Sequence, residues 1–136
     1  MMTIQALMLF LGRGLLALLF ILAGIGKIVG PQPFLRHMAE FNLPGYLLPA
    51  VIALELGAGV ALMLGWRVSY AAGALGTFCL LTAFIFHFDL GTPAERTLFF
   101  KDIALAGALI ALAATAMGTS QARLAASEMP AIDRSL

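Results

Sequence analysis

Residues 4–26, IQALMLFLGRGLLALLFILAGIG, form a long apolar run carrying one charge, Arg13, near the middle. A helix needs roughly 20 such residues to cross about 30 Å of hydrocarbon. Thirteen Leu, Ile or Phe residues favour insertion, at roughly −0.3 to −0.6 kcal/mol each against about +2.5 to +3.5 kcal/mol for an arginine at the centre. The run therefore inserts unaided. It lacks the basic start of a signal peptide, is too long for one, and is interrupted by Arg13, so we read it as a retained first helix.

Three further apolar runs follow at about 47–64, 68–88 and 97–117. None alternates with period two, as the short strands of a membrane barrel would. The fold class expected is all-α, an integral membrane four-helix bundle. Composition agrees: 62% of residues are hydrophobic and 11% charged, where a soluble domain carries about 25% charged residues. The chain therefore needs the lipid bilayer as its solvent. A net charge of +1 gives no footprint for nucleic acid. Cys79 is the single cysteine, which excludes an internal disulfide or dithiol and reads as a small packing residue. We expect one domain over residues 1–120 and a polar tail over 121–136, loosely ordered after Met117.

The second run contains Glu55 and only nine Leu, Ile or Val residues to offset it, a balance near zero on the same scale. It needs a neighbour. Four spans place both termini on one face, with the turn Gly65-Trp66-Arg67, and the loops at about 27–46 and 89–96 on the other. Basic residues divide evenly, Arg67, Arg123 and Arg134 on the termini face against Lys27, Arg36 and Arg96 on the loop face. The positive-inside rule gives no bias, and we adopt cytoplasmic termini as the expectation. In the first loop Phe34, Leu35, Met38 and Phe41 follow helical spacing, with Pro33 early and Pro44-Gly45 at the end. This predicts a short interfacial helix across the bundle mouth, either a lid or a membrane anchor.

A charge at mid-membrane depth is costly and marks a candidate site. Helical spacing puts Arg13, Ala17, Phe20, Gly24 and Lys27 on one stripe of span 1, and Leu48, Ile52, Glu55, Gly59 and Leu62 on one stripe of span 2. On span 3 the stripe chosen is Gly73, Thr77, Leu80, Phe84 and His87. Depth along the spans predicts a direct or water-bridged contact between Arg13 and Glu55. Lys27, His87, Lys101 and Asp102 should gather at the loop face above it, giving a polar cavity that narrows toward mid-membrane. The plainer alternative is an ion pair that only fixes helix register, with Lys27 snorkelling to the interface and His87, Lys101 and Asp102 as boundary charges. Small-residue pairs, Gly73 with Thr77 and Gly107 with Ala111, permit close helix packing.

Several chemistries are excluded by pattern. Only His87 lies at a depth suited to a two-histidine haem, and there is no Glu-x-x-His pair for a di-iron centre. No phosphate-binding loop, GxSxG, HExxH or zinc spacing is present. No metal site and no intrinsic cofactor are expected.

The segments RGLLALLFILAGIGK (13–27), ELGAGVALMLG (55–65), Phe86-His87 and FFKDIALAGALIAL (99–112) together resemble the DoxX family over roughly residues 10–117. That resemblance implies a bacterial inner-membrane protein and singles out Arg13, Lys27, Glu55, His87, Lys101 and Asp102. Asp102 departs from the pattern, which more often has an amide after the lysine. An added carboxylate there would raise the proton affinity of His87 or pair with Lys101. The family takes its name from a subunit associated with a terminal quinol oxidase or thiosulfate:quinone oxidoreductase. The function expected is an accessory or quinone-linked subunit of a membrane oxidoreductase, with quinone as ligand and electrons from a redox partner protein. The alternative is a non-enzymatic binding or scaffold protein for a lipid, a small hydrophobic ligand or a partner, including a homo-oligomer. A transporter is disfavoured, since no inverted repeat with broken helices is visible.

Overall fold

The computed structural model describes residues 1–130. Thr3 caps the first helix, its side-chain oxygen accepting the Ala6 N–H at 3.0 Å, and α1 runs over Ile4–Val29. A short helix, α2, spans Gln32–Glu40 with a proline in its first turn. A 3₁₀ turn at Gly45–Leu47 leads into α3, Leu48–Leu64. Gly65 ends α3 at φ +75°, a left-handed conformation that glycine adopts without a Cβ penalty. The chain reverses at once into α4, Val68–Phe86, and a second short turn leads to α5, Pro93–Glu128. No strand is present among the described residues.

The four long helices are each long and apolar enough to cross a membrane. The last is longer than expected. At 36 residues and 1.5 Å per residue it reaches about 54 Å, well beyond the hydrocarbon thickness. Polarity suggested a loose tail after Met117, but Gln121-Ala-Arg-Leu-Ala-Ala-Ser-Glu128 is rich in strong helix formers. The next breaker is Pro130. The boundary expected at residue 120 thus falls inside a continuous helix, and the remainder of the expected tail, 131–136, lies outside the described residues.

Helix α1 packs against α3, α4 packs against α5, and the α3–α4 contact joins the two pairs. Their shared core contains Ala17 and Phe20 of α1, Leu62 of α3, Ala72, Leu75 and Cys79 of α4, and Ala106 and Leu109 of α5. The stripes expected on spans 1 and 2 face this interior. The stripe on span 3 does not: Thr77 and Phe84 are exposed, and Ala72, Leu75, Gly76, Cys79 and Ala83 are buried instead. Span 3 is apolar on every side, so hydrophobic periodicity cannot select its inner face. Large side chains such as Leu15, Leu22, Leu81, Phe100 and Ile110 point outward, the surface a protein presents to acyl chains.

In lipid, packing of small residues does much of what the hydrophobic effect does in water. Three glycines provide the close approaches. A Cβ at Gly24 would fall 2.7 Å from Leu56 Cγ; at Gly59, 3.0 Å from Ile21 Cγ1 and 3.4 Å from its backbone nitrogen; at Gly76, 3.4 Å from Leu109 Cβ. Gly73 and Gly107, the positions singled out from spacing, have nothing within 4 Å of such a Cβ. They lie away from the close-packed seams.

Gly24→Ala should therefore lower the thermal unfolding midpoint in nanodiscs, at an overpacking cost of about 1–3 kcal/mol. Gly73→Ala should leave it unchanged or raise it, because alanine favours helix. Fluorescence-monitored melting of the two variants checks this; equal losses would refute the assignment of the packing face.

Candidate functional site

Side chains on a helix lean toward its N-terminus. Helix α1 runs from the termini face to the loop face, so Lys27, near its end, leans back into the membrane. Helix α3 runs the other way, so Glu55, at mid-length, leans toward the loop face. The two meet. Lys27 Nζ donates to Glu55 Oε1 at 3.0 Å and lies 2.9 Å from Oε2. The second contact is ionic without hydrogen-bond geometry, and Oε2 has no hydrogen-bond donor. Gly24, one turn before Lys27, gives α3 room to approach: a Cβ added there would lie 3.5 Å from Glu55 Cβ. Glu55 is only 3% exposed, so its charge depends on this lysine.

Helix α2 covers the pair. The Phe34 ring centroid is 4.7 Å from Lys27 Nζ, a cation–π distance. At the far end of α2, His37 stacks on Phe86 at 5.0 Å and lies 6.3 Å from the His87 ring, while Phe41 meets Phe86 edge-on at 5.1 Å. Met38 is buried between these anchors. The short helix thus bridges from the end of α1 to the end of α4.

A second polar group lies at the α4–α5 end. His87 Nδ1 is 2.7 Å from Glu95 Oε2. Glu95 occupies the first turn of α5, where the helix dipole favours an anion. Deeper, the Thr82 hydroxyl is shared between the Cys79 carbonyl at 3.0 Å and Asp102 Oδ2 at 3.3 Å. In the connecting turn Asp89 accepts from the Thr92 hydroxyl at 2.6 Å and the Gly91 N–H at 3.2 Å. The Thr92 hydroxyl holds the Asp89 carboxyl below its ordinary range, keeping the turn's acceptor charged.

Of the six residues expected to converge, Lys27 and Glu55 pair directly, while His87 and Asp102 lie in the separate α4–α5 group, bonded to Glu95 and Thr82. The predicted Arg13–Glu55 contact is replaced by Lys27–Glu55. Arg13 leans toward the termini face, and its guanidinium lies 3.2–3.4 Å from a Cβ position built on Gly65, ten residues and about 15 Å along α3 from Glu55. That separation sets Arg13 apart from the Lys27–Glu55 pair. Lys101 is exposed. Asp102 takes Thr82 as its hydrogen-bond partner and His87 takes Glu95.

Glu95, His37 and Phe34 were missed. For Glu95 a signal existed, because an acid in the first turn after a short connection must lie beside the preceding helix end. His37 and Phe34 depend on how α2 folds back over the bundle, which no local pattern encodes.

A family model described as DoxX matches residues 8–88. The chain is 38% identical over 106 residues to inner membrane protein YqjF of Escherichia coli strain K12, covering 78% of this chain and 82% of that protein. It is 30% identical over 121 residues to inner membrane protein YphA of the same organism, covering 84% and 86% respectively. No solved structure matches.

Removing either partner of a buried ion pair strands the other charge, at about 3–5 kcal/mol. Lys27→Met and Glu55→Gln should each lower the unfolding midpoint, Lys27→Met more. The double variant should recover most of the loss, whereas additive losses in this double-mutant cycle would show the pair to be uncoupled.

Proposed function

The chain belongs to the DoxX family, and on that premise we propose that it is an inner-membrane accessory subunit binding a quinone headgroup beneath α2. The observation that carries this reading is the covered Lys27–Glu55 pair, whose Oε2 is buried and without a donor. Buried acceptors in folded proteins are nearly always satisfied, so an unmet one asks for a ligand hydroxyl or a water.

The chemistry of the two groups fits both forms of such a ligand. A quinone carbonyl accepts a hydrogen bond, and the Lys27 ammonium donates beyond its single bond to Oε1. A quinol hydroxyl donates, and Oε2 accepts. Phe34, His37 and Phe86 offer flat rings at the same end, and the outward apolar surface suits a long hydrocarbon tail. A bound quinone supplies two-electron, two-proton redox capacity. Lys27 and Glu55 orient its oxygens, and the His87–Glu95 pair near the mouth holds a proton that can be exchanged with water. Electrons come from a partner subunit, because the sequence carries no haem, di-iron or dithiol pattern. The relatives' names, both inner membrane proteins, support the location.

Titration of the protein in nanodiscs with a short-chain quinone analogue, followed by calorimetry, tests this. We expect saturable binding, weakened about tenfold or more by Glu55→Gln, as for loss of a charged hydrogen bond, and also by Phe34→Ala. Absence of saturable binding to folded wild-type protein, or indifference to Phe34→Ala, would leave the ion pair a structural clasp and the bundle a scaffold.

A further inference from the structure

At the termini face three arginines from three separate elements line one cavity of about 440 Å³: Arg13 of α1, Arg67 of the α3–α4 turn and Arg123 of α5. We propose that this cavity binds the phosphate of an anionic phospholipid headgroup. The site is distinct from the loop-face cluster and does not depend on the quinone reading.

The charges are unspent. Among the described residues none of the three arginines has a carboxylate partner. Arg13 lies 5.8 Å from the Phe10 ring centroid and Arg67 lies 5.1 Å from that of Trp66, contacts that steer a guanidinium but leave its N–H groups able to bind an anion. Guanidinium forks suit phosphate oxygens in particular. Arg67 is held at φ 48°, a left-handed conformation unfavourable for a residue with a Cβ. It serves as the N-cap of α4, whose first amides have no intrahelical acceptor and add positive potential. Ser69 and Ser120 line the same cavity and supply hydroxyl donors.

The surroundings select a lipid over a free anion. Leu9, Val68 and Leu112 border the cavity beside the arginines, so a ligand there meets an apolar wall continuous with the bilayer-facing surface. Tyr70 and Trp66 are strongly exposed nearby, in the manner of aromatic side chains at headgroup depth. A phosphate with acyl chains satisfies both halves of this lining; inorganic phosphate satisfies only one.

The test is retention of lipid by the full-length protein. Protein in detergent is exchanged against vesicle lipid of phosphatidylglycerol or phosphatidylcholine, and bound lipid is measured by native mass spectrometry. We expect phosphatidylglycerol to be retained about tenfold more strongly, falling toward the phosphatidylcholine level in Arg67→Gln/Arg123→Gln, since each surface arginine contributes to anionic-lipid binding. Both positions are exposed, so the variant keeps the buried core, and an unchanged melting profile confirms it. Arg67→Lys/Arg123→Lys should recover part of the retention. Equal retention of the two lipids, or an unaffected glutamine variant, overturns the proposal. Displacement of the lipid by millimolar inorganic phosphate at constant ionic strength overturns the lipid assignment in favour of a free-anion site.

Discussion

The structure depends on how the direction of a helix aims its charges. Antiparallel neighbours lean their side chains toward opposite faces, so a lysine near the loop-face end of α1 and a glutamate at the middle of α3 close on each other. Two residues on parallel helices at the same offset would lean the same way and keep their separation. Glu55, buried and with Lys27 as its only ionic partner among the described residues, could not remain charged in hydrocarbon without that closure. The marginal insertion balance of the second span is resolved the same way, since the span enters as the partner of α1.

The same rule explains what was legible in the sequence and what was not. Span number, the inner faces of spans 1 and 2 and a helix in the first loop follow from hydropathy and spacing, as does the nearness of Lys27 and His87 to the loop face. The partner of Glu55 does not follow from depth alone. Arg13 and Glu55 lie at similar depth by residue count, yet the register in which Gly59 meets Ala17 and Ile21 sets Arg13 beside Gly65, well along α3 from Glu55. The inner face of span 3 was illegible for another reason. A helix apolar all round gives no periodic contrast, and Gly76 and Cys79 reveal their burial only through the fit of α5. Helix α5 beyond Met117 shows the limit of reading order from polarity, because alanine-rich sequence stays helical whether or not it is greasy.

The two ends of the bundle then differ in electrostatic character. At the loop face the buried cation is paired, Lys27 with Glu55, and the histidines are tied to Glu40 and Glu95. Such closed pairs define geometry, and a ligand there would be recognised by hydrogen bonds and ring stacking. At the termini face the described arginines lack carboxylate partners, so positive potential dominates there. One small chain thus presents a near-neutral, aromatic-covered end and a cationic, open end.

These ends are not independent, because one helix–helix seam joins them. From the loop face, α1 and α3 touch through Lys27 with Glu55, Gly24 with Leu56, Gly59 with Ile21 and the Ala17 carbonyl, and finally Gly65 with Arg13. Each contact fixes the same register. A slip of one turn, about 5.4 Å, would separate the ion pair, drive Leu56 off its glycine and carry Arg13 away from the turn that presents Arg67. The glycines make the seam close and the charges sharpen it: a slipped register loses the glycine fits and also strands the buried pair. A charge pair that fixes register in this way also fixes where the termini-face arginines stand, so the geometry of one candidate site is set by the chemistry of the other.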